Sequence, residues 1–277
     1  MRLGGPTFQK NPDPDSWVTE LKQLGYRAAY CPVDESADTQ TVRAFEQAAW
    51  DAGIIIAEVG VWNNPLASDD MERRRAIDLC QHRLALADAI GACCCVNISG
   101  SRGQVWDGPH PENYSADTFD LIVETTRRIL DAVRPTRTYF TLETMPWMIP
   151  DSVDSYLKLL SAIDRPRFAV HLDPVNLINS PGLYYRNGTL LRDCFARLRQ
   201  HIKSCHAKDI TLGTTLTVHL SEVRPGLGTL DYVTFLRELD RLDPDTPIML
   251  EHLPAAEDYL ASAEYLRSVA RAEHLTL

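Results

Sequence analysis

Seven short, nearly continuous apolar runs recur along this chain: 27–31 (RAAYC), 54–58 (IIIAE), 93–97 (CCCVN), 138–143 (TYFTLE), 167–173 (RFAVHLD), 202–206 (IKSCH) and 247–251 (PIMLE). A weaker run, MRLG, opens it. Continuous runs, rather than strict alternation, are what strands of a parallel sheet need when both faces are covered. Between the runs, apolar residues fall at helical spacing. Trp17, Leu21 and Leu24 share a face before Gly25, Val42, Phe45 and Ala49 before Gly53, and Ile77, Leu84 and Ile90 before Gly91. Phe119, Ile122, Val123, Ile129 and Val133 form a fourth stripe closed by Pro135, and Val153, Tyr156, Leu157 and Leu160 a fifth. Strand and helix in regular alternation imply a parallel sheet with right-handed crossovers. Eight such units in 277 residues predict an α/β fold, a closed (β/α)8 TIM barrel that occupies 1–277 as a single domain. An open doubly wound sheet is the alternative, but no GxGxxG follows the first strand.

The charge balance narrows the partners. With 28 basic against 38 acidic residues the formal charge is −10, which opposes the basic footprint that nucleic-acid binding usually needs. No run reaches the roughly 18 apolar residues of a membrane-spanning helix, and MRLGGPTFQKNPDPD lacks the apolar core of a signal peptide. Seven cysteines, three of them consecutive (Cys93, Cys94, Cys95), form no CxxC pair and no even framework. Free thiols in a reducing cytoplasm are therefore expected, with neither nucleic acid nor membrane as a partner.

In a barrel of this kind the chemistry gathers at the C-terminal ends of the strands. Here those ends are polar: Glu58 closes the third run, Asn97 the fourth, Glu143 the fifth, Asp173 the sixth, His206 the seventh and Glu251 the eighth. Glu143, Asp173 and Glu251 directly follow apolar runs, where an unpaired, desolvated carboxylate would cost several kcal/mol. Three acids and one imidazole meeting on one rim are explained by a single divalent cation. Such a hard, oxygen-rich donor set suits Mn2+ first, then Mg2+ or Co2+, while Zn2+ and Fe2+ also accept it. Four protein ligands leave an octahedral ion two positions for substrate oxygens, which it would polarise.

Five motifs extend the pattern: TLE ending at Glu143, HLDPVN around Asp173, SCHAKD around His206, VRPGLGTLDY at 223–232 and IMLEH around Glu251. Through them the chain resembles the sugar-phosphate isomerase/epimerase family, the xylose-isomerase-like barrels, over essentially its whole length. The resemblance to ketose 3-epimerases and inosose dehydratase-like proteins implies that Glu143, Asp173, His206 and Glu251 hold one divalent metal. It also implies that Glu143 and Glu251 are catalytic, exchanging protons with substrate. Many relatives carry a histidine three residues after the metal-binding aspartate. Here that place is Asn176, which points to different contacts with sugar oxygens. The same barrel serves an apurinic-site endonuclease with several zinc ions. That pattern needs further histidines where this chain has Cys31, Glu58, Asn97 and Asn176.

Candidate substrate contacts are Glu58, Asn97, His171, Asn176, Lys208, Arg224 and Trp106. His171 alternates with Asp173 and so faces the same way, either orienting substrate or a ligand or resting as a core histidine. Lys208 and Asp209 either support the ligands or close the turn after His206. Arg224 either grips a sugar oxygen or phosphate or forms a loop salt bridge. Trp62, Trp106 and Trp147 follow the third, fourth and fifth strands, as sugar-stacking walls or as loop packing. His82, His201, His219 and His252 read as surface or structural. The Gly/Pro-rich stretch 99–114 and the loop 178–189 are candidate lids or partner surfaces. The leading reading is a divalent-metal-dependent isomerase or epimerase of a small, non-phosphorylated sugar or cyclitol, acting by enediolate-type proton transfer. A dehydratase or lyase that expels a β-leaving group is the runner-up. A non-catalytic metal-binding subunit is the reading from another class, and assembly as a homo-oligomer or hetero-subunit stays open.

Overall fold

Eight parallel strands close into a ring in the computed structural model, which describes residues 1–277. Seven come first in the chain: β1 (Arg2–Gly5), β2 (Ala28–Tyr30), β3 (Ile55–Gly60), β4 (Cys94–Asn97), β5 (Tyr139–Glu143), β6 (Phe168–Leu172) and β7 (Ile202–Ala207). An antiparallel hairpin, β8 (Asp209–Leu212) with β9 (Leu220–Val223), follows β7, and β10 (Pro247–Leu250) then completes the barrel. The ring order is β1-β10-β7-β6-β5-β4-β3-β2. Hence β5, β6, β7 and β10, whose ends carry the four candidate metal ligands, form one continuous arc.

The helices are α1 (Pro14–Leu24), α2 (Thr39–Asp51), α3 (Asp70–Ile90), α4 (Ala116–Val133), α5 (Val153–Ile163), α6 (Pro181–Tyr184), α7 (Asn187–Leu198), α8 (Tyr232–Leu239) and α9 (Ala256–Ala272). Their starts are set by local chemistry. Asp13, Asp38, Asp69, Ser115 and Ser152 each accept a backbone N–H of the first turn, satisfying donors that a helix end leaves free. Gly91 ends α3 at φ 74°, a left-handed conformation that a side chain would strain. The fourth stripe stops one residue before its proline: Arg134 takes the left-handed cap at φ 51°.

A continuous core of 56 buried side chains fills the space between the sheet and its helices. Inside the ring the packing is different and tighter. Ala28, Ala57 and Met249 form a small cluster there, and a Cβ on Gly4 would meet the Ala28 carbonyl and the Met249 sulfur. Two elements differ from the sequence reading. The hairpin is absent from it because its strands are half-exposed and lack an apolar run. The segment 178–189 is no open loop: Ser180 caps the single turn of α6, and α7 begins at Asn187. All seven cysteines are free. No helix is long and apolar enough to cross a membrane.

Candidate metal centre and substrate cavity

The four candidate ligands come from neighbouring strand ends and are stepped along the register. Glu143 stands beside His171 across β5 and β6, and His206 stands beside Met249 across β7 and β10, two residues short of Glu251. His206 is fully buried, and its Nδ1 lies 3.1 Å from Glu143 Oε1, 2.8 Å from Glu251 Oε1 and 3.9 Å from Asp173 Oδ2. One ligand atom from each of these four residues lies within 4.8 Å of the others. Asp173 is held by its other oxygen, since Oδ1 accepts the backbone N–H groups of Val175 (2.9 Å) and Asn176 (3.3 Å). That leaves Asp173 Oδ2 and Glu251 Oε1 buried without an aligned hydrogen-bond donor. Three buried carboxylates gathered around one imidazole nitrogen are a donor set that fits a hard divalent cation.

The opposite edge of His206 is fixed from across the barrel. Its Nε2 lies 3.2 Å from Glu58 Oε2, while Glu58 Oε1 lies 2.8 Å from His171 Nε2 and accepts from Ser204 Oγ. Charged, His206 donates from Nε2 toward Glu58 and from Nδ1 toward Glu143 and Glu251; with Nε2–H kept on Glu58, loss of the Nδ1 proton would free that nitrogen's lone pair for an ion among the acids. Glu58 and His171, read from sequence as substrate contacts, therefore sit behind the ligands; neither lines the cavity.

Protonation follows from this crowding. Burial would pull His206 down, but Glu251, Glu58 and Glu143 outweigh it and hold the imidazole well above its ordinary value. Burial would raise Glu58, yet His171 and His206 keep it below the usual carboxylate range. Glu143 and Glu251 are likewise lowered: His206 and Lys208 overcome burial and, for Glu143, repulsion from Glu251. Asp173 moves the other way. Burial pushes it up to about 6 against the pull of Lys208, with Glu143 and Glu251 adding repulsion.

Above the ligands opens a cavity of about 450 Å³, lined by Glu143, Glu251 and His252 and walled by Tyr30, Trp62, Trp106 and Tyr259. Its size falls within the roughly 300–1,000 Å³ of small-molecule sites. Trp106 is thus at the cavity, together with Asp107 from the same 99–114 stretch. Trp147 is not a wall; its Nε1 donates to the Asp107 carbonyl at 2.6 Å and braces that stretch from outside. Asn176 reaches the site indirectly, donating from Nδ2 to Glu143 Oε1 at 3.2 Å. Asn97 is fully buried, with its amide donating to Asn63 Oδ1, and does not line the cavity. Arg224 pairs with Asp258 at 3.5 Å, also outside the lining. Lys208 sits among the ligand oxygens, whereas Asp209 closes the following turn through Gly226, Gly228 and Leu230. Sequence reasoning did not single out Tyr30, Tyr259 or Glu222 and read His252 as surface or structural. The one available signal for His252 was its place directly after a strand-end acid.

A family model described as a xylose isomerase-like TIM barrel matches residues 18–269. Among solved structures, the probable 3-DHS dehydratase AsbF, involved in petrobactin synthesis in Bacillus anthracis, is 19% identical. It covers 98% of this chain and 99% of its own, with a TM-score of 0.71. D-psicose 3-epimerase from Clostridium cellulolyticum H10, solved with D-tagatose, is 13% identical over 100% of both chains, with a TM-score of 0.71. A xylose isomerase-like TIM barrel protein from Mycobacterium smegmatis, in complex with magnesium, is 14% identical over 98% of this chain and 97% of its own, with a TM-score of 0.69. No curated protein matches by sequence. At these identities the structural likenesses show a shared fold.

Proposed function

Because the chain belongs to the xylose isomerase-like TIM barrel family, we propose that it is a divalent-metal-dependent isomerase or epimerase of a small carbohydrate or keto-polyol, acting by proton transfer beside a carbonyl. One observation carries this reading: Glu143, Asp173, His206 and Glu251 converge, and two of them, Glu143 and Glu251, line an aromatic-walled cavity. These four residues would hold the ion, manganese by preference, which when bound supplies Lewis acidity to a carbonyl and its neighbouring hydroxyl. Glu143 and Glu251 both line the cavity, and their environment keeps them ionised. One carboxylate takes the proton from the carbon between the two oxygens, giving an enediolate, and the other returns one. Return to the opposite face of that carbon inverts it; return to its neighbour moves the carbonyl. Such general acid–base work contributes about 10²–10⁴-fold. Trp62 and Trp106 offer flat faces to a sugar and keep water from the reacting carbon. No arginine or lysine lines the cavity, which supports a non-phosphorylated substrate.

A dehydratase shares the first proton removal and needs an acid at the leaving hydroxyl. His252, at the cavity wall beside Glu251, favours this second reading, and AsbF is a probable dehydratase. The test is to incubate Mn2+-loaded protein with a panel of ketoses and keto-cyclitols. Turnover lost on chelation and restored by Mn2+ is expected, with product of unchanged mass; loss of water would select the dehydratase. No turnover by metal-loaded protein across the panel would leave the non-catalytic subunit.

A further inference from the structure

The ligand cluster contains a fifth charged group. Lys208 is 2% exposed, and its Nζ stands 2.5 Å from Glu251 Oε1, 2.8 Å from Asp173 Oδ2 and 3.7 Å from Glu143 Oε1. Two of those oxygens are the buried ones without an aligned hydrogen-bond donor. An ion of magnesium's size held by the same oxygens would stand roughly 2.0–2.1 Å from each, inside the space the ammonium fills. Two cations cannot share it.

The backbone of Lys208 has no freedom to withdraw. Tyr232 Oη donates to its carbonyl at 2.7 Å. The next residue, Asp209, is pinned by four backbone N–H groups, those of Ile210, Gly226, Gly228 and Leu230, at 2.9–3.0 Å. Only the flexible side chain can move. One acid outside the ligand set is within its reach: Glu222 Oε2 on the hairpin, 3.7 Å from Nζ and on a side chain 35% exposed. Glu222 also lies 3.5 Å from His252 Nδ1 at the cavity wall.

Building on the metal centre proposed above, we infer that Lys208 and the divalent ion compete for the same carboxylate oxygens, and that metal enters as the lysine swings out toward Glu222. The ammonium neutralises a buried acid cluster that would otherwise repel itself, so the protein can fold before it is loaded. The same contact weakens the affinity of the site for metal.

Calorimetric titration with Mn2+ of chelator-stripped wild type, Lys208→Gln, Lys208→Ala and His206→Ala, with a melting curve for each, tests this. Both Lys208 variants should bind one Mn2+ about tenfold or more tightly than wild type. Their stripped forms should melt below stripped wild type, with Mn2+ closing the gap. Unchanged or weaker affinity in both variants, with His206→Ala binding impaired, would overturn the competition while leaving the metal centre standing. Equal binding by His206→Ala and wild type would remove the metal centre and the competition with it.

Discussion

Which nitrogen of His206 is left for an ion depends on Glu58, a residue four strands away, directly across the ring. Its carboxylate crosses the barrel interior to Nε2 and is itself held by His171 and Ser204. Glu58→Gln keeps the shape but removes the charge that retains the Nε2 proton. Mn2+ affinity should fall about 10–100-fold, with the circular dichroism spectrum unchanged. Affinity equal to wild type would show that packing alone orients the imidazole. At this scale the sequence was informative where a polar residue directly followed an apolar run, as at Glu143, Asp173 and Glu251. It could not tell a strand-end group facing the cavity from one facing across the ring, so Glu58 and His171 read as substrate contacts. Nor could it place Lys208, whose long side chain folds back onto the ligands, or see that Arg224 points to Asp258.

Among the elements, the hairpin after β7 bears most on the site and was the least legible. Its tip, 213–219, is exposed, and its short strands carry no run of apolar residues, so nothing marked it as paired. What anchors it is Asp209, 1% exposed, which gathers the amides of Gly226, Gly228 and Leu230. The sequence offered this residue two roles, and the structure shows the turn-closing one. Asp209→Ala strips three loop amides of their acceptor and should lower unfolding stability by about 2–4 kcal/mol, read from urea denaturation. Because Lys208 and Glu222 ride on this corner, Mn2+ affinity should shift with it. A variant as stable as wild type would mean that water replaces the carboxylate without loss. The barrel strands, by contrast, were legible almost residue by residue. A strand buried on both faces, such as Pro247–Leu250, leaves no polar position to confuse its pattern.

Across the whole molecule the ring divides its labour. The arc β5, β6, β7 and β10 presents the candidate ligand oxygens and the imidazole, while Tyr30, Trp62 and Ile98 at or just beyond the ends of β2, β3 and β4 supply the apolar wall opposite. Alternation of runs and stripes was enough to read this barrel from sequence, because eight units of that size suit a closed ring better than an open sheet. The substrate was not legible, since it depends on loops such as 99–114, which Ser101, Asn113 and Arg102 tie into place by contacts that no periodicity announces. In the proposed reaction Glu143 and Glu251, three strands apart on that arc, move a substrate proton. Turnover of a substrate from the panel in D2O, followed by mass spectrometry and NMR, measures this most directly. Wild type should place deuterium at the reacting carbon, and metal-loaded Glu143→Gln and Glu251→Gln should show neither turnover nor label. Wild-type turnover without deuterium, or full turnover by either metal-loaded variant, would contradict it.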